Sequence, residues 1–172
     1  MPGIPRALLQ EARPIGAGPR FQPPISGQPT GHCSRRLGRR AAVHVELFAK
    51  NRVVIVPAGI GTHPPRRLID GQIAAALCYG DLVTLAPTGV ALVAAGRRLT
   101  LAVLFRSWGE PLSSSRLASF RARPGTHVTA FVDGHRWHAS PRAIPLLRHS
   151  EIVLELGPYV PPHHSFAFPP GS

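Results

Sequence analysis

The alternation of apolar and polar positions predicts two β-hairpins. Apolar residues alternate from Val43 to Leu47, and a continuous β-branched run from Val53 to Val56 follows a short turn-like segment. Alternation returns over residues 126–132, where the following Asp133-Gly134 pair is a type I′ turn signal that leads into residues 135–138. We expect an antiparallel pair of strands in each place.

A last strand is predicted from residue 150 to residue 156. Ile152, Leu154 and Leu156 fall on one of its faces, and Glu151 and Glu155 fall on the other. Acidic side chains commonly keep an exposed or edge strand soluble, and we expect that role for both glutamates.

One helix stands out between the two hairpins. Thr100 is in place to act as its N-cap, and Gly109 follows where a C-terminal glycine ends a helix. Apolar residues recur between them at the spacing of one helical face: Leu101, Leu104, Phe105 and Trp108. We expect this face to pack on a sheet.

The remaining segments give weaker signals. Residues 57–71 are rich in proline and glycine and predict a loop. Residues 72–78 and 81–85 are strand candidates, with a helix left open for residues 73–77, and residues 89–93 predict another strand.

The order of these elements predicts an α+β fold, rich in β-structure, that is β-grasp-like (ubiquitin-like) with one amphipathic helix; the alternative is an all-β sandwich. We expect a disordered, Arg/Pro-rich arm over residues 1–40, a globular domain over residues 41–157 and a Pro-rich tail over residues 158–172. Phe166 and Phe168, placed among the prolines, would tie this tail down as an extended strap if they were buried.

The formal net charge of +12 raises the question of a polyanionic partner. The densest basic cluster lies in the arm and consists of Arg35, Arg36, Arg39 and Arg40. It could grip phosphates, although no aromatic residue within the cluster offers a platform for base stacking. Nucleic-acid binding through the arm is therefore the alternative function.

Candidate metal and catalytic chemistry is sparse. His44 and Glu46 point to the same strand face about 7 Å apart, but two ligands do not make a metal site, and we expect a solvated face. The adjacent His163 and His164 are expected to be exposed in the tail. Since no catalytic or phosphate-binding motif is present, we expect neither an enzyme nor a bound cofactor.

Cys33 and Cys78 match no zinc-binding or redox spacing. They form a disulfide if the compartment is oxidising and ordinary thiols if it is reducing. No window of 18 apolar residues exists, so no transmembrane segment is expected. The first residues also lack the pattern of a signal peptide, which as written would place the chain in the cytoplasm.

Several short motifs occur in an order that resembles an uncharacterised bacterial family of exported proteins, over residues 25–171. These motifs are Val43-His44-Val45-Glu46-Leu47, Pro57-Ala58-Gly59-Ile60-Gly61, Cys78-Tyr79, Thr88-Gly89-Val90, Phe105-Arg106-Ser107-Trp108-Gly109, Val132-Asp133-Gly134, His149-Ser150-Glu151-Ile152 and Phe168-Pro169-Pro170-Gly171. The resemblance implies a Cys33 to Cys78 pairing and an exported protein. It also implies that the true start lies upstream of Met1.

The chain departs from this family at the residues that look like a metal site. Family members carry His-x-His in the first strand and His-Thr-His-Asp after the Cys-Tyr pair, whereas this chain keeps only His44 of the first motif and has residues 82–86 as Leu-Val-Thr-Leu-Ala. Four of the five possible metal-binding side chains are thus absent.

These observations together predict a non-catalytic binding or structural module that works outside the cytoplasm. Its partner would be a protein or a component of the cell envelope. The alternative remains a basic accessory protein that binds nucleic acid through Arg35, Arg36, Arg39 and Arg40.

Overall fold

The computed structural model describes residues 13–172. Within them lie one α-helix, α1 (Leu101–Trp108), one short 3-10 helix (Pro141–Ala143) and eleven strands. The strands are β1 (Arg40–Ala49), β2 (Arg52–Val54), β3 (Thr62–Ile69), β4 (Gln72–Tyr79), β5 (Leu82–Val83), β6 (Val90–Ala94), β7 (Arg116–Leu117), β8 (Phe120–Arg121), β9 (Thr129–Val132), β10 (His135–Trp137) and β11 (Glu151–Leu156).

The main sheet is mixed and is built around a parallel pair, β1 and β11. Its strand order is β10-β9-β11-β1-β6-β5, and β2 pairs with the second half of β1. The other pairings are antiparallel, including the two predicted hairpins β1–β2 and β9–β10. The predicted α+β, β-rich class is confirmed, while the finer β-grasp assignment stays a prediction.

One face of the sheet carries the main hydrophobic core. Because side chains alternate along a strand, β1 and β11 turn their apolar residues to the same side, where α1 packs. This core includes Val43, Val45, Leu47, Ile152, Leu154, Leu101, Leu104, Phe105 and Trp108, none more than 2% exposed. The predicted helical stripe is confirmed as the face that meets the sheet.

The two ends of α1 differ in how far they follow the prediction. Gly109 adopts φ 90° and its N–H bonds to the carbonyls of Phe105 and Arg106, as a C-terminal glycine stop requires. Thr100 occupies the N-cap position, but its side chain makes no capping hydrogen bond. The N–H of Leu101 is instead satisfied by the carbonyl of Ile144, 2.8 Å away.

The prediction of a loop over residues 57–71 is wrong for its second half. Residues Thr62–Ile69 form β3, which pairs with β4 as a separate two-stranded sheet. Proline is tolerated in β3 because this strand pairs on one side only. A missing N–H therefore interrupts no hydrogen bonds to a second neighbouring strand. The register also shifts between His63 and Arg66, across the two prolines.

Residues 13–39 pack on the domain, so the folded unit begins before the predicted boundary at residue 41. The indole N–H of Trp108 donates to the carbonyl of Pro23 at 3.2 Å, and the backbone N–H groups of Ser26 and Gly27 donate to the carbonyl of Trp108. Phe21 packs against the ring of Phe120 with centroids 4.8 Å apart. The part of the predicted arm in residues 1–12, and with it the signal-peptide reading, lies outside the described residues.

Among residues 13–172 no helix is long and apolar enough to cross a membrane.

Candidate functional site

The second face of the main sheet carries charged side chains where a solvated surface was expected. The parallel register places His44 opposite Glu151, and the two-residue period of β1 puts Glu46 on the same side. His44 is fully buried, Glu151 is 1% exposed and Glu46 is 8% exposed. The expectation of a solvated face at His44 and Glu46 is therefore wrong.

The prediction that Glu151 and Glu155 lie on an exposed or edge strand is also wrong. β11 is paired on both sides, with β1 and with β9, so it has no free edge. The C-terminal tail then covers the face on which both glutamates lie, with Val160 packed beside Phe48, Phe131 and Val153. Neither the pairing partner of a strand nor the path of a tail can be read from alternation alone.

Three side chains form what we call the polar cluster: His44, Glu46 and Glu151. The Nδ1 atom of His44 lies 2.7 Å from Oε2 of Glu151 and 3.9 Å from Oε1 of Glu46. One potential ligand atom from each residue lies within 4.8 Å of the others. The cluster thus places two carboxylates at the Nδ1 edge of one imidazole in a setting with almost no access to water.

The orientation of His44 is fixed by its other ring nitrogen. Nε2 lies 2.8 Å from the carbonyl oxygen of Thr88, and since a carbonyl only accepts, Nε2 carries a hydrogen. Gly89 allows this approach, because a Cβ at this position would overlap the carbonyl of Val45 and crowd the His44 ring. Nδ1 is therefore the nitrogen that faces the carboxylates.

The tail forms the roof of the polar cluster. Nδ1 of His163 donates to Glu46 and lies 2.9 Å from both carboxylate oxygens. The ring of Phe166 stacks on His44 with centroids 3.8 Å apart and an interplanar angle of 15°. Phe168 stacks on His149 in the same way, which is the strap geometry expected of the two phenylalanines. His163 is thus engaged with the domain and is not the exposed tail residue that was expected.

Glu151 is the least satisfied member of the polar cluster. Its Oε1 is buried and, among the described residues, has no hydrogen-bond partner. Burial raises the pKa of the Glu151 carboxyl, and the hydrogen bond with His44 opposes this effect. The backbone N–H of Glu151 donates to Oδ1 of Asp133 at 2.8 Å, so the residue of the predicted type I′ turn also holds the start of β11 in place.

A small cavity lies next to the polar cluster. It has a volume of about 40 Å³ and is lined by Glu46 together with mostly apolar residues of β1, β2 and the segment before β6. Such a volume holds a few water molecules or an ion, since one water needs roughly 10–15 Å³ on this measure. An organic substrate of ordinary size does not fit.

Cys33 and Cys78 are joined as a disulfide, with Cα atoms 5.2 Å apart. Two backbone hydrogen bonds between Ser34 and Tyr79 hold the adjoining residues together. The bond ties residues 13–39 to the end of β4, and no free cysteine remains.

The predicted basic cluster is only partly assembled on the surface. Arg35, Arg36 and Arg39 are exposed. Arg40 is half-buried at the start of β1, where its guanidinium donates to the carbonyls of Leu37 and Leu92 at 2.7 and 3.5 Å. One of the four residues proposed to grip phosphates is therefore occupied in holding the domain.

The sequence pattern did not predict two members of this site, Glu151 and His163. Glu151 begins β11, in which Glu155 is the other charged residue, and glutamates on the second face of an otherwise apolar strand are the signal that could have pointed to it. His163 lies 117 residues from Glu46 in the chain, and no local pattern connects them.

Comparison of the chain with protein-family models, with curated proteins and with solved structures finds no match in any of the three. The resemblance to an exported bacterial family stays a prediction.

Proposed function

We propose that this chain is a non-catalytic binding module that works outside the cytoplasm, and that the polar cluster is its binding site. The observation that carries the proposal is the burial of His44, Glu46 and Glu151 together on the central strand pair, under a roof formed by the tail. A sheet face of this kind ordinarily holds apolar side chains, because burying charged groups costs free energy unless they are paired. Such an arrangement is typical of a site that holds a ligand.

Binding is favoured over catalysis by the closure of the site. The imidazole of His44 is covered by Phe166, and the neighbouring cavity of about 40 Å³ admits no organic substrate of ordinary size. A catalytic base must come within hydrogen-bond reach of a substrate atom, and the roofed cluster leaves no room for one. A small ligand that is enclosed and retained fits the geometry better.

The extracytoplasmic location is supported by the disulfide. Disulfides persist in oxidising compartments and are rare in the cytosol. The Cys33–Cys78 bond joins a proline-rich segment to the end of β4, and it would constrain a region with few regular hydrogen bonds of its own. We propose that the surface of this protein outside the polar cluster binds a protein or a component of the cell envelope.

The test is the intact mass of the protein taken from its native host, after separation of the extracytoplasmic fraction from the cytosol. Free thiols are blocked during lysis, and each fraction is measured with and without reduction followed by a second round of blocking. We expect the chain in the extracytoplasmic fraction, with no blocked thiol before reduction and two after it. Two blocked thiols on cytosolic protein would contradict the proposal.

The same preparation tests the alternative function. Arg35, Arg36 and Arg39 are exposed, so a nucleic-acid binding protein would retain DNA or RNA at low salt and lose it as salt rises. We expect no such salt-dependent binding. Binding that is abolished by replacing these three arginines with glutamine would favour the alternative.

A further inference from the structure

We propose that the polar cluster binds one divalent transition-metal ion, of which Zn²⁺ is the representative, through His44 Nδ1 and the carboxylates of Glu46 and Glu151. The inference rests on the proposed function and names the ligand of its site. It rests on four features of the cluster: its distances, its charge, the orientation of His44 and the unpaired oxygen of Glu151.

The distances suit a first-row ion with little rearrangement. Ligands about 2.0–2.2 Å from a tetrahedral ion lie roughly 3.4 Å from one another. The Nδ1 atom of His44 is 2.7 Å from Glu151 and 3.9 Å from Glu46, which brackets that separation. Small rotations of the two carboxylates would lengthen the distance from Nδ1 to Glu151 and shorten the distance from Nδ1 to Glu46.

The charge of the cluster matches a divalent cation. In the deprotonated form that a metal requires, two carboxylates and an imidazole carry a charge of −2, and burying it without compensation is costly. A divalent ion neutralises this charge within the site. His163 contributes by donating to Glu46, in the way that ligating carboxylates are held by an outer hydrogen bond.

The orientation of the His44 ring is that of a metal ligand. A ligating histidine donates its second ring N–H to a carbonyl or carboxylate, which fixes the tautomer and leaves the first nitrogen bare. Nε2 of His44 donates to the Thr88 carbonyl, and Phe166 holds the plane of the ring. Nδ1 faces the two carboxylates, and it would give its lone pair to a metal that displaces the proton in its 2.7 Å hydrogen bond with Glu151.

The unpaired oxygen of Glu151 is a further sign of a ligand because, unlike the unpaired oxygen of Glu155, it lies in a cluster with a second carboxylate and an imidazole. Oε1 has no partner among the described residues although Glu151 is 1% exposed. A buried carboxylate oxygen without a partner costs free energy that a cation would recover. One imidazole and two carboxylates favour zinc or a neighbouring transition metal over Mg²⁺ and Ca²⁺, which take six or more oxygen ligands.

The test is a zinc titration of the purified full chain with its disulfide intact, after the protein has been stripped with a chelator. Competition with a chromophoric chelator gives stoichiometry and affinity together. We expect one zinc per chain, retained through gel filtration. Glu46→Gln and Glu151→Gln keep the shape of the side chain and remove its charge, and we expect each to weaken zinc binding by at least about 100-fold.

Glu155→Gln is the matched control. Glu155 lies on the same strand and the same face as Glu151, is 3% exposed and stands outside the polar cluster. We expect its zinc affinity to equal that of the wild type. We expect His163→Gln to weaken binding only about tenfold, because His163 acts on Glu46.

X-ray absorption at the zinc edge gives a second readout that does not depend on any variant folding. We expect one imidazole and otherwise oxygen ligands. Failure of the wild type to retain zinc overturns the metal assignment. Retention that Glu46→Gln and Glu151→Gln leave unchanged, or a zinc bound by several imidazoles, overturns it as well, since the ion would then sit on other histidines.

The two proposals fail separately. A chain that is exported and disulfide-bonded but binds no metal keeps the proposed location and loses the ligand. A zinc-binding chain with free thiols in the cytosol keeps the metal site and loses the proposed location.

Discussion

We expect Glu155 to make the stability of this protein depend on pH. The residue lies on β11 between β1 and β9, is 3% exposed, and shares its face with Phe48, Phe131, Val153 and Val160. Its Oε1 has no hydrogen-bond partner among the described residues. Burial raises the pKa of Glu155 to about 7, although the Val160 N–H and the charge of Arg136 favour the ionised form.

The direction of the effect follows from where the proton is held. The unfolded chain releases the Glu155 proton near pH 4.5, and the folded chain holds it up to about pH 7. The folded state therefore binds more protons in this interval, and the free energy of unfolding falls as pH rises through it. The full difference corresponds to about 3 kcal/mol, of which about 2 kcal/mol is lost between pH 5 and pH 8.

Replacing Glu155 with glutamine removes this titration and keeps the size of the side chain. We expect Glu155→Gln to be more stable than the wild type by about 2 kcal/mol or more at pH 8, and by less than about 1 kcal/mol at pH 5. The assay is urea unfolding of both proteins at each pH, with the disulfide intact and a chelator present. Other titrating groups, including Glu151, occur in both proteins and cancel in the difference.

A difference between the two proteins that is the same at pH 5 and pH 8 would refute the reasoning. A variant that becomes less stable than the wild type as pH rises would refute it more strongly. Equal m-values are needed for the comparison, because a changed slope would mean that the unfolded state had changed instead.

The remaining predictions concern how residues 13–39 and α1 are held, and each is measured by urea unfolding. Replacing Cys33 and Cys78 with serine should cost about 4 kcal/mol, because the disulfide closes a loop with a sequence separation of 45 residues; a loss below about 1 kcal/mol would mean that the unfolded chain is not constrained by this bond. Trp108→Ala should cost about 3–5 kcal/mol, since the side chain is fully buried in the main core, whereas Trp137→Ala, at the half-buried edge strand, should cost about 1–2 kcal/mol, and equal losses would contradict the packing described. Gly27→Ala should destabilise by about 1–3 kcal/mol, because an added Cβ overlaps the carbonyl oxygens at the end of α1; an unchanged unfolding midpoint would show that residues 13–39 do not press on the helix.

The second face of the sheet shows what the sequence pattern could not predict. Alternation in β1 and β11 correctly separated one face from the other, so it placed His44 and Glu46 together and Glu151 and Glu155 together. It could not reveal that the two pairs share one face. That depends on the parallel pairing of strands more than a hundred residues apart, which has no local signal.

The hairpin of β3 and β4 illustrates the opposite limit. Proline and glycine disfavour a strand that pairs on both sides, so they indicate a loop reliably only where both sides of the segment would be paired. β3 pairs only with β4, so its prolines interrupt no hydrogen bonds on a second side, and the segment can adopt the extended conformation of a strand. Whether a segment has one neighbour or two is decided by the whole fold.

The sequence by itself determined the elements whose causes are local. The period of apolar residues defined α1 and the hairpins, and Gly109 and Asp133-Gly134 specified a helix end and a tight turn through their own backbone preferences. Only the tertiary structure decided that His44, Glu46 and Glu151 are buried together, because burial depends on what the tail and the neighbouring strands cover. The chemistry of the candidate site arises from that burial, since the same three side chains on an open strand would be hydrated and would need no cation.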